Sequence, residues 1–321
     1  IAFDKLEIFK RNIKNSTKSE ICSINSIGHF SKKMISTIKN DLKKIVSKRE
    51  SILGLNFNNP KIMGILNMTP DSFSDGSLFL KESQVYDQVN LMIKNGAQII
   101  DIGGESTRPG SKIISPKVEW DRVKNIIAKV RKKFPKIILS LDTRKSYVMK
   151  KGIENKVDII NDVSGLNFDK NSFDVIKLKK IPFILNHMQG TPDTMQKKPK
   201  YDDVLLDIFD FFEEKINLCA KNNYKTKFIM IDPGIGFGKN LKHNLRLMSK
   251  ISTFHSLGCP ILIGTSRKRF IEHIVTKFDT PDRTGGTLAS VLYGLSQGVQ
   301  LFRVHNVKEI NQGILVFNKI L

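Results

Sequence analysis

The feature that most constrains this chain is an alternation that runs through its last 270 residues. Eight short runs rich in Ile, Val, Leu and Met each end in polar residues, at 62–67, 98–104, 137–143, 159–165, 182–188, 228–234, 260–266 and 300–306. Each is followed by a stretch long enough for an amphipathic helix, as at 81–95, 116–133, 201–222 and 241–255. The runs are continuously apolar, as strands covered on both faces are, and helices on both faces imply a parallel sheet. Eight β-α units in this length predict a single α/β domain at 52–321, a (β/α)8 TIM barrel. An open, doubly wound sheet is the alternative architecture.

Residues 1–51 read differently. They carry 12 Lys and Arg against 5 Asp and Glu, with short apolar stretches and few turn residues. They are expected to form a short basic N-terminal extension, helical or partly ordered, packed on the barrel, with an amphipathic helix near 31–48. They lack the 7–15-residue apolar core and small-residue cleavage site of a secretory signal. Nowhere does an apolar run approach the roughly 18 residues of a membrane helix. Cys22, Cys219 and Cys259 are far apart and form no C-x-x-C, which reads as free thiols in a reducing cytoplasm. The whole chain has 53 Lys and Arg against 31 Asp and Glu, a net charge of +22. The excess is scattered in pairs such as Lys150-Lys151, so it reads as solvated surface rather than a nucleic-acid footprint.

A barrel of this type builds its active site at the carboxyl ends of its strands. Those ends hold Asn67, Asp101, Asp142, Asn161 with Asp162, Asn186 with His187, Asp232, Ser266-Arg267-Lys268, and Arg303 with His305. Asn and Asp also serve as turn residues. Eight converging polar ends exceed what turns alone require. Asp142, Asn161 and Asp232 suit the N–H edges of a flat heterocycle. Arg303, His305 and Lys268 are read as cationic donors for a phosphate or carboxylate. Asn67 and Asp101 are oxygen ligands of the kind Mg²⁺ takes beside phosphate oxygens. Together they describe a heterocycle bearing a phosphoryl leaving group.

The loops add to this. The segment after the first run places Phe73 in a turn-rich stretch, as on a lid. The Gly-rich segment 232–240 resembles a nucleotide P-loop, but Asn240 follows Gly238-Lys239 and Pro233 stands at the first glycine position.

The segments NMTPDSFSDG, DIGGESTRPG, SLDTRK, IINDVSG, NHMQGTP, DPGIGFGKN, GTSRK and FRVHNV occur in this order from about residue 54 onward. In them the chain resembles the dihydropteroate synthase family. The resemblance implies condensation of 6-hydroxymethyl-7,8-dihydropterin pyrophosphate with para-aminobenzoate, with Mg²⁺ as cofactor, sulfonamides as inhibitors and a homodimeric assembly. The scattered charge and the absence of a long apolar run predict no nucleic-acid or membrane partner. By position, Asp142, Asn161, Asp232 and Lys268 would hold the pterin, with Asp101, Asp142 and Lys268 as the catalytic groups. Thr107, Arg303 and His305 would contact pyrophosphate, Asn67 would ligate the metal, and Phe73, Pro109 and Phe237 would line the para-aminobenzoate pocket. Asn186 and Arg269 depart from the family pattern, which has Met and Ser there in many members. A pterin-dependent methyltransferase-like barrel and a catalytically silent basic binding protein are the competing readings.

Overall fold

A computed structural model describes residues 3–11, 17–69, 82–275 and 282–320. The chain begins with an antiparallel hairpin, β1 (Lys5–Arg11) and β2 (Thr17–Ser23), and a helix, α1 (Lys32–Val46). Then follow β3 (Lys61–Asn67), α2 (Glu82–Lys94), β4 (Ile99–Gly103), α3 (Pro116–Lys133), β5 (Ile138–Asp142) and α4 (Ser146–Glu154). The second half adds β6 (Ile159–Asp162), α5 (Ser172–Lys179), β7 (Phe183–Asn186), α6 (Val204–Lys221), β8 (Ile229–Asp232) and α7 (Leu241–Ser249). It ends with β9 (Leu262–Ile263), α8 (Arg269–Ile274), α9 (Thr284–Ser296), β10 (Leu301–Val304) and α10 (Val307–Ile320). Strands β3 to β10 are parallel neighbours in the order β8-β7-β6-β5-β4-β3-β10-β9. Ile231 N donates to Pro260 O at 3.0 Å, beside a bridge from Ile231 to Ile261, and so links β8 to β9. The eight predicted runs are the eight strands of a (β/α)8 barrel.

Period-2 alternation within each strand sorts the side chains. Ile62, Leu66, Ile100, Ile102, Leu139, Leu141 and Ile160 belong to the large apolar cluster between strands and helices. The intervening Met63, Ile99, Ile138, Ile159, Ile184, Met230, Leu262 and Leu301, one from each barrel strand, cluster together inside the barrel. Ile52, Leu55 and Phe57, just before β3, pack against that layer and plug the barrel floor. Two residues further along, the inward positions of β4 to β8 and of β10 turn polar, as Asp101, Ser140, Asn161, Asn186, Asp232 and Arg303.

The amino-terminal segment departs from the helical expectation. Helix α1 forms within a residue or two of its predicted span, capped by Ser31, whose side chain accepts from Met34 N. Before it, however, lies the hairpin. Its strands are short and charged, and docking decides their conformation. Arg11 bridges Asp207 at 2.7 Å and Asp210 at 2.8 Å on α6, and Lys250 bridges Glu7 at 2.6 Å. The Phe9 ring lies near the cations of Arg246 and Lys250. The predicted helix 241–255 also divides, into α7 and a 3-10 segment at Ile251–Leu257.

Arg131 on α3 is the main polar staple on the amino-terminal side of β5. Its guanidinium donates to the carbonyls of Lys156 at 2.9 Å, Pro135 at 3.0 Å and Ile137 at 2.8 Å, and to the Asp158 carboxylate, which in turn accepts from Leu139 N. Arg131→Ala strands these acceptors and is expected to cost about 1.5–3 kcal/mol, the range for hydrogen bonds to charged groups. Denaturant unfolding measures it; a loss within experimental error contradicts the staple.

Candidate active site

The inward residues at the carboxyl ends of the strands meet around one guanidinium. Arg303 Nε donates to Asp101 Oδ2 at 2.6 Å and Arg303 Nη2 donates to Asp142 Oδ2 at 2.8 Å. Asn161 Nδ2 donates to the same Asp101 oxygen at 3.0 Å. Across the mouth, Asp232 accepts from Gly234 N at 2.8 Å and from Asn186 Nδ2 at 3.1 Å. Two inward positions carry no side chain and leave space between these groups. A Cβ at Gly264 would sit 3.8 Å from Arg303 Cβ and 3.9 Å from Asp232 Oδ2. A Cβ at Gly103 would sit 3.5 Å from Asn67 Oδ1 and 3.7 Å from Asp142 Oδ2. Asp101 Oδ1 and Asn161 Oδ1 are buried with no hydrogen-bond partner among the described residues, a cost that a ligand or water can relieve.

Lys268 reaches this mouth from the turn after β9, and its ammonium sits 3.5 Å from the centroid of the Phe237 ring. Gly236, at φ +83°, makes the crossing possible, because a Cβ there would lie 2.9 Å from Lys268 Cδ. Phe237 itself is buried with Val163, Met188 and Met195. His305 completes the rim. Its backbone N–H donates to Ser266 Oγ at 3.1 Å, and Ser266 Oγ lies 2.9 Å from His305 Nδ1. With the hydroxyl proton on Nδ1, a neutral ring carries its own proton on Nε2.

Burial dominates the electrostatics. It raises the Asp142 carboxyl to about 7, against the opposing pull of Arg303 and with help from Asp101. It also raises Asp232, against Gly234 N–H, Lys268 and Arg303. It lowers Lys268 to about 8, with Arg303 pushing the same way. His305 falls to about 3 through burial and the surrounding Arg267, Arg303, Lys268 and Arg108. This corrects the sequence expectation: the His305 ring is neutral here, not a cation.

Other expectations are sorted by side-chain direction. Asp162, next to Asn161, points away from the mouth and fastens its own turn through Ser164 N, Ser164 Oγ and Leu166 N. His187, next to Asn186, packs edge-on against Phe211 and contacts the buried Lys239 ammonium at 3.1 Å. Thr107 is half-buried and Pro109 exposed on the loop after β4, whose Gly110 N donates to Pro192 O at 3.1 Å. Of the three residues expected to line an aromatic-amine pocket, only Phe237 is packed against the site, and Phe73 lies outside the described residues. Arg269 is exposed in the first turn of α8.

Sequence reading missed one cluster. Glu105 accepts from Arg144 Nε and Lys145 Nζ, each at 2.8 Å, and Lys145 also bridges Glu119. Arg144 stacks on Phe168 with its guanidinium carbon 4.0 Å from the ring centroid. These buried charges anchor the start of the loop bearing Thr107 to the end of β5. The Thr-Arg-Lys run at 143–145 next to Asp142 was the available signal.

Among the described residues no group of three or more His, Cys, Asp or Glu side chains could hold a metal ion. The Asn67 amide oxygen, opening on the hollow at Gly103, is suited to a cation that arrives with most of its ligands from phosphate and water.

The motif of the pterin binding enzyme family matches residues 63–305. The dihydropteroate synthase of Escherichia coli K12 is 38% identical over 267 residues, covering 83% of this chain and 94% of that relative. The chain belongs to the dihydropteroate synthase family of pterin binding enzymes. Its fold matches the Yersinia pestis dihydropteroate synthase solved with a sulfonamide drug, with a TM-score of 0.78 and 37% identity over 83% of this chain and 96% of that one. The Xanthomonas albilineans dihydropteroate synthase in complex with 7,8-dihydropteroate gives a TM-score of 0.73 at 30% identity, covering 83% and 95% of the two chains. In this chain Asp142, Asn161, Asp232 and Lys268 surround the barrel mouth.

The ionisations predict a pH profile. Asp142 carries negative charge and accepts at both oxygens only when ionised, so activity is expected to fall as pH drops through about 7. Lys268 acts as an ammonium, so activity falls as pH rises through about 8. In kcat/KM, which reports the free enzyme, the expected result is a narrow bell between these values. A flat profile from pH 6 to 9 contradicts these assignments.

Proposed function

We infer that this chain condenses 6-hydroxymethyl-7,8-dihydropterin pyrophosphate with para-aminobenzoate, releasing 7,8-dihydropteroate and pyrophosphate. The observation that carries the reading is Arg303 held between Asp101 and Asp142, beside a floor opened by Gly103 and Gly264. It offers carboxylates for the N–H edge of a flat ring and a guanidinium for an anionic leaving group, within one small mouth. The Xanthomonas albilineans relative that holds 7,8-dihydropteroate supports it.

In this reading Asp142, Asn161, Asp232 and Lys268 bind the pterin. Arg303, the Nε2–H of His305 and the hydroxyl of Thr107 donate to the pyrophosphate. The C–O bond at the pterin methylene breaks, its electron pair leaves with pyrophosphate, and the ionised Asp142 opposes the positive charge that develops on the ring. The neutral amine of para-aminobenzoate forms the new C–N bond and then loses a proton. The chain supplies positioning and fixed charge rather than a covalent intermediate. Asn67 would hold Mg²⁺, whose chemistry here is to neutralise phosphate charge. Phe73, Pro109 and Phe237 line the para-aminobenzoate pocket, the subsite that sulfonamides would compete for. The proposal extends to a cytoplasmic homodimer in which residues 52–321 are the catalytic unit and residues 1–51 a docked extension. No helix among the described residues is long and apolar enough to cross a membrane.

Pyrophosphate release that requires both substrates and Mg²⁺, with dihydropteroate formed in step, is the expected result for the purified chain. Pterin binding without turnover overturns the reading. Lys268→Ala is expected to lower kcat/KM for the pterin by about 10²-fold or more, the loss typical of one pre-organised charge-stabilising donor. Phe73→Ala is expected to raise the KM for para-aminobenzoate more than that for the pterin, and equal changes would remove Phe73 from the pocket.

A further inference from the structure

Ser266 is a hydroxyl at the barrel mouth that the mechanism above does not use. It is 5% exposed, in the turn after β9. Its Oγ meets two groups, both belonging to His305: the backbone N–H donates to it at 3.1 Å, and ring Nδ1 lies 2.9 Å away. A serine oxygen carries one proton and two lone pairs. The His305 N–H takes a lone pair, and the one acceptor that the described residues offer the hydroxyl proton is Nδ1. Nδ1 is therefore the bare nitrogen. Burial and the nearby Arg267, Arg303, Lys268 and Arg108 keep the ring neutral, so its single proton sits on Nε2. With the proton on Nδ1 instead, Oγ would face two donors and its own proton would have no acceptor.

The turn that carries Ser266 has other anchors. Arg267 lies at φ +58°, a left-handed conformation that a non-glycine residue keeps only where its surroundings impose it. Its Nε and Nη2 donate to Asn306 Oδ1 at 3.1 and 2.9 Å, and its backbone N–H donates to Thr287 Oγ1 at 3.2 Å. These contacts join the turn to the end of β10 and to α9 without the Ser266 hydroxyl. What the hydroxyl adds is control of the imidazole.

We propose that Ser266 is a positioning residue that sets His305 as its Nε2–H tautomer and so gives the rim a fixed donor for the leaving pyrophosphate. The proposal rests on the functional reading above. In the opposite tautomer Nε2 would present a lone pair to the phosphate oxygens, and a donor would become a repulsive contact. Alanine at position 266 leaves both tautomers open. Ser266 thus acts on the phosphate end of the substrate, through His305, and leaves the ring end to Asp142, Asn161, Asp232 and Lys268.

The test uses the full chain with Ser266→Ala, Ser266→Thr, His305→Ala and the double variant Ser266→Ala/His305→Ala. The inhibition constant of inorganic pyrophosphate with Mg²⁺, the KM for dihydropterin pyrophosphate and the Kd of 6-hydroxymethylpterin, which has no phosphate, are measured for each. In Ser266→Ala the first two are expected to rise about tenfold, as for loss of a hydrogen bond to a charged group. The 6-hydroxymethylpterin Kd stays within about twofold, and the serine change adds less than about twofold once the imidazole is gone. Nitrogen NMR of ¹⁵N-histidine-labelled protein shows a bare Nδ1 and a protonated Nε2 for His305 in wild type and Ser266→Thr, and mixed tautomers in Ser266→Ala. A protonated Nδ1 in neutral wild-type His305 overturns the proposal. So does a Ser266→Ala loss that is the same with and without the His305 ring, or that falls equally on 6-hydroxymethylpterin, the signature of a structural role. A Ser266→Thr variant with the wild-type tautomer but the pyrophosphate affinity of Ser266→Ala also overturns it. Failure of the wild-type chain to bind 6-hydroxymethylpterin, with the His305 tautomer as stated, overturns the functional reading instead.

Discussion

The mouth of the barrel depends on one cation shared by two acids. Asp101 is buried beneath Arg303, and Asp142 stands beside it on the next strand, so without the guanidinium two carboxylates would face each other in a poorly solvated space. Burial works against the charge on Arg303, yet its two carboxylate partners outweigh that effect and hold it cationic. Removing one member of such a group leaves a buried charge unpaired, which costs more than the complete pair contributes. The same arrangement keeps Asp142 close to its titration point, because burial raises its pKa further than Arg303 lowers it. A carboxylate poised in this way responds strongly when positive charge develops beside it.

Beneath this polar layer the barrel is closed by apolar residues. One side chain from each strand and the Ile52, Leu55 and Phe57 plug fill the floor with apolar groups. Laterally, the Glu105, Arg144, Lys145 and Glu119 cluster ties the loop after β4 to the end of β5. The loop carrying Thr107 is therefore anchored at its root while its outer residues stay exposed.

Much of this was legible from sequence because the strands are apolar on both faces and end abruptly in polar residues. What it left ambiguous was parity. Asn161-Asp162 and Asn186-His187 are adjacent polar pairs, and only one member of each can point inward. Counting by twos from the inward Ile159 and Ile184 selects Asn161 and Asn186. The neighbouring Asp162 and His187 then fall outside the mouth, where they fasten a turn and pack against Phe211. The amino-terminal hairpin was illegible for another reason. Its strands carry little apolar pattern, and the contacts that fold them are ion pairs to α6 and Lys250, about two hundred residues away in the chain.

Ionisation states were the least accessible to sequence reasoning, and His305 shows why. Residue type alone suggests a cation beside an anionic leaving group. The structure surrounds the ring with Arg267, Arg303, Lys268 and Arg108 and limits its access to water, and both effects remove its proton. The cations around the rim are the ones that keep His305 neutral. Phosphate charge arriving there offsets their repulsion and raises the affinity of the ring for a proton.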